Sequence, residues 1–187
     1  MLKFLKIQKA SLVGLSLGGM IATDFTIEHP EMVEKLILTS SALRGDTTPP
    51  DEKTIAVYRA AKLEGMEKAV ELWLEHPLFA SGKGNPLFQK RMRQMLGDNF
   101  SSWKPNPNSA KTIWDKTPTI ENLDKINVPT LIIVGEQDAA VILNMADILK
   151  DKIRGSKKIV FPKVSHHLKM EEPQKFNQTA FDFLKKG

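Results

Sequence analysis

Two rhythms of apolar and polar positions alternate along the chain. Short, nearly unbroken apolar runs at Ser11 to Val13, Val33 to Thr39 (VEKLILT), Val128 to Gly135 (VPTLIIVG) and Lys158 to Phe161 have the length and side-chain types of strands buried in a parallel sheet. Between them lie longer stretches with apolar residues at helical spacing. Met20, Ile21, Phe25 and Ile27 predict a helix from Leu17 that closes at His29-Pro30, because the residue before proline is driven out of the α region. A helix over Val141 to Ile153 and a last one over Pro173 to Lys186, with Phe176, Phe181 and Leu184 turned to the core, complete the α/β pattern. The first nine residues, with lysine at every third position, read as the last turns of a helix.

From Ser40 to about Thr119 the strand-like runs stop, and proline pairs and glycines punctuate amphipathic segments. Helices are expected over Asp51 to Leu63, Met66 to Glu75, Pro86 to Leu96 and Ser109 to Lys116, with Lys104 to Asn108 as a loop. The chain therefore divides into a core over 1–44, a helical insertion over 45–119 and a second core part over 120–187. All three tryptophans, Trp73, Trp103 and Trp114, fall in the insertion and are candidates to line a substrate pocket; packing between helices is the plainer reading for any one of them.

The chemistry sits where strands end. Gly14-Leu15-Ser16-Leu17-Gly18 follows the first strand and opens the first helix, so a serine stands at the tip of a sharp turn. Glycines are expected on either side because the backbone is strained there and side chains would collide. Asp138 follows the third strand, at the sheet end where open α/β sheets place ligands, and Ser165-His166-His167 follows the fourth. A serine hydroxyl becomes a useful nucleophile only when an imidazole takes its proton, and the imidazole must be oriented by a carboxylate. Separately, an aspartate after a strand is commonly a helix cap and a loop histidine is commonly exposed.

Composition narrows the classes. The 187 residues suffice for one domain with a sizeable core, and 41% hydrophobic with 26% charged residues is ordinary for a globular protein. Without cysteine there is no disulfide, thiolate metal site or thiol nucleophile, which fits a cytoplasmic setting and leaves oxygen and imidazole groups to do the work. The net charge of +5 is spread along the chain with no block of like charge to mark a nucleic-acid partner. The longest uninterrupted apolar run, Leu131 to Val134, is too short to span a bilayer. No metal and no cofactor are expected.

The blocks GLSLGGMIA, HPEMVEKLILTSSA, VPTLIIVGEQD and VSHHLKMEEPQKFN resemble successive blocks of the α/β-hydrolase family, whose triad runs serine, acid, histidine in chain order. The resemblance implies an α/β fold made of the C-terminal half of a mostly parallel sheet with a helical lid insertion. It implies Ser16 as nucleophile, Asp138 as orienting acid and His166 as base. In the family the histidine stands five residues before a glutamate and seven before a proline, and Glu171 and Pro173 have that spacing from His166, not from His167. Ser165 replaces the glycine usual before the histidine. The backbone N–H of Leu17 would be one oxyanion-hole donor. GLSLGGM is most similar to 3-oxoadipate enol-lactonases and related small-molecule esterases, which implies hydrolysis of an ester or lactone through an acyl-enzyme. Carbon–carbon bond hydrolases, haloperoxidases and acyltransferases share the fold.

Relative to that family the sequence starts late: about four strands and a His-Gly loop carrying the other oxyanion donor would precede Met1, and no His-Gly pair occurs. The four strands would then lie side by side with Ser11 to Val13 as an exposed edge, open to pairing with a second copy. Three expectations compete: a serine hydrolase in its complete form, a truncated, catalytically weak remnant that binds small apolar ligands, or a noncatalytic α/β protein in which the serine turn is coincidence, which the combined order of serine, acid and histidine disfavours.

Overall fold

The computed structural model describes residues 2, 4–79, 82–98 and 118–185. Four parallel strands, β1 (Ala10–Leu15), β2 (Val33–Thr39), β3 (Thr130–Gly135) and β4 (Lys157–Phe161), form one sheet in the order β1-β2-β3-β4. The register aligns Leu15, Thr39, Ile133 and Ile159 across the sheet, so the loops leaving all four strands emerge at the same end.

The sheet is covered on both faces. Leu36, Leu38, Ile132 and Val134 pack on one side with Ala22 of helix α1 (Leu17–Glu28) and Met145, Ala146 and Leu149 of a later helix, Ala140–Lys152. Ile37, Leu131 and Ile133 pack on the other with Phe161, Leu168, and Phe176 and Ala180 of the last helix, Pro173–Lys185. This two-sided burial is why β2 and β3 read as continuous apolar runs. The sequence pattern turns Phe181 to the core, but it is 57% exposed, and Phe183 and Leu184 pack there instead. At 100° per residue Phe176, Ala180, Phe183 and Leu184 form one stripe, and position 181 falls outside it.

Between β2 and β3 the described residues hold only helical elements: α2 (Glu52–Leu63), α3 (Met66–Leu74), a 3-10 turn at Pro77–Phe79, α4 (Pro86–Asp98), and 3-10 turns at Thr119–Glu121 and Leu123–Lys125. Asp51 caps α2, its carboxylate accepting the Thr54 N–H at 2.8 Å. Phe79, Phe88, Met92, Leu96, Val70 and Leu74 give this segment an apolar centre of its own. The helix expected over Ser109 to Lys116, the loop Lys104 to Asn108, Trp103 and Trp114 lie outside the described residues.

The N-terminal stretch closes in a turn of the kind that ends helices. The Ile7 N–H bonds the Leu2 carbonyl at 3.0 Å, Lys6 has φ +55, and the chain then runs extended into β1. A 6→1 bond over a residue of positive φ is a common way for a helix to end, so the described residues here form a terminating turn with no further helical turn among them. Lys35, buried within β2, donates to the Leu184 carbonyl at 2.8 Å and so ties the C-terminus of the last helix to the sheet. Among the described residues no helix is long and apolar enough to cross a membrane.

Candidate active site

Ser16 stands between β1 and α1 with φ +52 and ψ −118, a conformation that L residues rarely adopt. Its neighbours hold it there. The Ser16 N–H donates to the Thr39 carbonyl at 3.0 Å, and its carbonyl accepts from Gly19 N–H at 2.9 Å and Ala42 N–H at 3.0 Å, so the segment leaving β2 grips the turn from both sides. The Ser16 side chain makes no capping bond to α1, which leaves the hydroxyl outside the helix's own hydrogen bonding.

The glycines divide their work differently from the sequence expectation. A Cβ at Gly14 would lie 2.4 Å from the Gly18 carbonyl oxygen, so the first glycine is needed for the tight turn. A Cβ at Gly18 would meet nothing within 4 Å, because that position faces the open side of β1. Gly19 is the second obligatory glycine: a Cβ there would come 2.3 Å from Ser41 Oγ.

Asp138 and His166 are brought together. The His166 ring nitrogen Nδ1 lies 3.0 Å and 3.2 Å from the two Asp138 carboxylate oxygens, and the side chains are 6% and 0% exposed respectively. The carboxylate also accepts the Ala139 N–H at 2.8 Å. An ionised carboxylate only accepts, so Nδ1 carries the proton and the neutral ring presents a lone pair at Nε2. That is the tautomer of a general base. No hydrogen bond joins Ser16 Oγ to His166 Nε2 among the described residues; Ser16 and the Asp138–His166 pair share the carboxyl end of the sheet.

The loop carrying His166 is laced to the turn carrying Asp138. Glu136 and Gln137 N–H groups donate to the Phe161 and Val164 carbonyls, each at 2.9 Å. Gly135 permits this approach, since a Cβ there would lie 2.3 Å from the Ser165 and Val164 carbonyl oxygens. The Glu171 carboxylate organises the other side of the loop, accepting the Ser165 and His167 N–H groups at 3.0 Å each and the Ser165 hydroxyl at 2.9 Å. The Ser165 hydroxyl thus has a partner inside the loop, so this position accommodates serine where glycine is usual. Neither Gly135 nor the role of Glu171 is evident from sequence, although the His166–Glu171 spacing points to the latter.

His167 takes no part in the hydrogen bond between Asp138 and His166. Burial pushes its pKa down to about 3, helped by the neighbouring charges of His166 and Lys169, and its Nδ1 is buried with no hydrogen-bond partner in the structure. Its ring stacks on Phe79 at 4.9 Å with an interplanar angle of 11° and meets His166 edge-on at 5.4 Å. Trp73 is half-buried, its ring 4.8 Å from His76 and 5.8 Å from Phe79, within the packing of the helical segment. Leu17, at the first position of α1, has its N–H where the helix offers no internal acceptor. Among the described residues no three histidine or acidic side chains are grouped to hold a metal ion. A groove of about 500 Å³, lined by Leu12, Val13, Ile21 and Phe25 among others, runs along the open side of β1 and does not include Asp138 or His166.

A strained serine after a parallel strand, an acid after a later one and a histidine after the last stand at one end of an open α/β sheet. The chain belongs to the alpha/beta hydrolase fold family, whose model matches residues 1–173. It is 31% identical over 192 residues to a 2-hydroxy-6-oxononadienedioate/2-hydroxy-6-oxononatrienedioate hydrolase of Klebsiella pneumoniae, covering 96% of this chain and 64% of that protein. It is 26% identical over 188 residues to a pimeloyl-[acyl-carrier protein] methyl ester esterase of Neisseria meningitidis, covering 95% of this chain and 70% of the relative. Among solved structures, Est816, described as an N-acyl homoserine lactone degrading enzyme, superposes with a TM-score of 0.73 at 25% identity, over 97% of this chain and 70% of that one. The chain thus spans about two thirds of the length of the curated relatives it matches.

Proposed function

We propose that the chain carries the triad of a serine hydrolase acting on a small ester or lactone in the cytoplasm, with Ser16 as nucleophile, His166 as general base and acid, and Asp138 as the group that orients His166. The buried Asp138–His166 pair, with its proton on Nδ1, carries this reading. Ser16 Oγ adds to the substrate carbonyl carbon as its proton passes to His166 Nε2. The imidazolium that forms is stabilised by the Asp138 carboxylate, and the Leu17 N–H, helped by the positive end of α1, donates to the oxyanion. Collapse of the tetrahedral intermediate breaks the C–O bond to the leaving group, which takes the proton from Nε2. Water, deprotonated by the same nitrogen, then releases the acid and restores Ser16. The described helices between β2 and β3, with Trp73 among their apolar residues, serve as a lid over the substrate. The lactone-degrading and ester-cleaving relatives support the substrate class.

The 31% identity to a hydrolase of oxo-dienedioates favours one other reading, in which the same serine cleaves a carbon–carbon bond next to a ketone. Incubating the purified chain with a fluorophosphonate and mapping the adduct by mass spectrometry tests the nucleophile. Labelling is expected on Ser16 and is lost in Ser16→Ala; labelling elsewhere, or unchanged labelling in a folded His166→Ala variant, refutes the assignment. A panel of p-nitrophenyl esters, acyl lactones and vinylogous diketones separates the two substrate readings. We also infer that the chain self-associates through β1, because Val13 is 53% exposed on a strand paired on one side only.

A further inference from the structure

We propose that His76, outside the triad, is a positioning residue that anchors the catalytic histidine's loop through the backbone of Leu78; the proposal rests on His166 being the general base. His76 is 1% exposed and sits between α3 and the Pro77–Phe79 turn. The Leu78 N–H donates to His76 Nδ1 at 3.2 Å. Because a backbone N–H only donates, Nδ1 is unprotonated, and the ring proton is on Nε2, which lies 3.1 Å from Thr54 Oγ1 and 3.3 Å from Asp51 Oδ1. The Leu78 carbonyl in turn accepts the His166 N–H at 3.3 Å, and the Ser165 hydroxyl, whose single proton is shared with the Glu171 carboxylate, lies 3.1 Å from it. One residue of the helical segment is therefore held at its N–H by an imidazole and holds, at its C=O, the backbone of the base.

The charged and polar groups facing His76 suit this task. On α2, Asp51 and Thr54 take the Nε2–H, and Lys53 adds a positive charge; on α3 the Trp73 ring lies 4.8 Å away; His166 is the nearest titratable group of the sheet half. Burial holds the His76 pKa below its ordinary value, partly opposed by Asp51, which keeps Nδ1 in the acceptor form the bond needs. The adjacent stack of Phe79 on His167 fixes the same two segments a residue further along. A displacement of His166 by even an ångström misaligns proton transfer, so loosening this anchor is a rate effect more than a binding effect.

Two substitutions separate anchoring from packing. In His76→Asn the side-chain oxygen takes the place of Nδ1 and still accepts the Leu78 N–H; His76→Gln reaches toward Asp51 and Thr54 instead and leaves that N–H without its acceptor. Hydrolysis of p-nitrophenyl acetate is measured together with amide hydrogen exchange over residues 76–79 and 165–167. His76→Gln is expected to lower kcat by about tenfold or more with KM little changed, and to speed exchange of the His166 amide; His76→Asn keeps both near wild type. Equal behaviour of the two variants, or kcat losses that follow only their loss of thermal stability, overturns the proposal. If the unsubstituted chain turns over no ester, the exchange arm still decides: faster His166 exchange in His76→Gln alone supports the anchor and places the failure with the catalytic reading.

Discussion

Acid should loosen this protein at His167 in a way that one substitution can isolate. The imidazole has an ordinary pKa of 6.5 and one of about 3 in the fold, because burial removes the water its charged form needs and His166 and Lys169 add positive charge nearby. The unfolded chain therefore binds a proton at this site long before the folded one does, and stability must fall as pH drops below 6.5 and stop falling near the folded value. At 25 °C linkage between these two values costs about 2 kcal/mol by pH 5 and about 3 kcal/mol by pH 4, approaching about 5 kcal/mol in full. Set against a typical total of roughly 5–15 kcal/mol, this one ring is a large share. Phenylalanine at position 167 keeps an aromatic face against Phe79 and removes the titration. Urea unfolding followed by circular dichroism at pH 7.5, 6, 5 and 4 should give wild-type and His167→Phe curves that converge or cross as pH falls, with the variant gaining about 2 kcal/mol on wild type between pH 7.5 and 5. Curves that stay parallel over the whole range would refute the reasoning, since they would mean that His167 titrates alike in both states.

Gly135→Ala should cost at least about tenfold in kcat and lower the melting temperature, because its Cβ would meet two carbonyl oxygens of the His166 loop and force His166 away from Asp138; unchanged kinetics would show that the loop yields at no cost. Lys35→Met, which keeps the apolar stem but loses the ammonium at the Leu184 carbonyl, should destabilise by about 1–2 kcal/mol in urea with no change in KM. Val13→Lys, a charge placed on the open side of β1, should shift the purified chain from associated to monomeric in light scattering; an unaltered mass distribution would locate association elsewhere.

How much of the structure is legible in the sequence depends on how local its cause is. Val33–Thr39 is recognisable to the residue because both faces of an inner parallel strand demand apolar side chains. Ser16, Asp138 and His166 announce themselves by chain order and by their places after strands, and the structure joins the last two. His29-Pro30 and His76-Pro77 show where such reading stops. The same dipeptide gives a half-exposed helix end in one place and a fully buried hub in the other, and only the arrival of α2 against α3 makes the difference. The glycines escape it for a similar reason: Gly18 faces open space, while Gly19 and Gly135 are fixed by Ser41 and the His166 loop, partners distant in sequence. Phe181 is misread because a helix's buried stripe is settled by what lies beneath it as well as by composition.

The places of β1 and β4 at the two ends of the strand order set which segments come undone first. β2 and β3 are flanked on both sides and β1 and β4 on one, and Ser16 stands at the tip of β1. Local opening begins where a segment has the fewest bonds to break. Under gentle heat or dilute denaturant the two edge strands open while β2 and β3 persist, so the amides of β1, up to the turn at Ser16, and of β4 lose protection before those of the inner strands. The partly opened species then retains most of its far-ultraviolet signal, and removing the denaturant restores the sheet by re-pairing its edge strands, without refolding the domain.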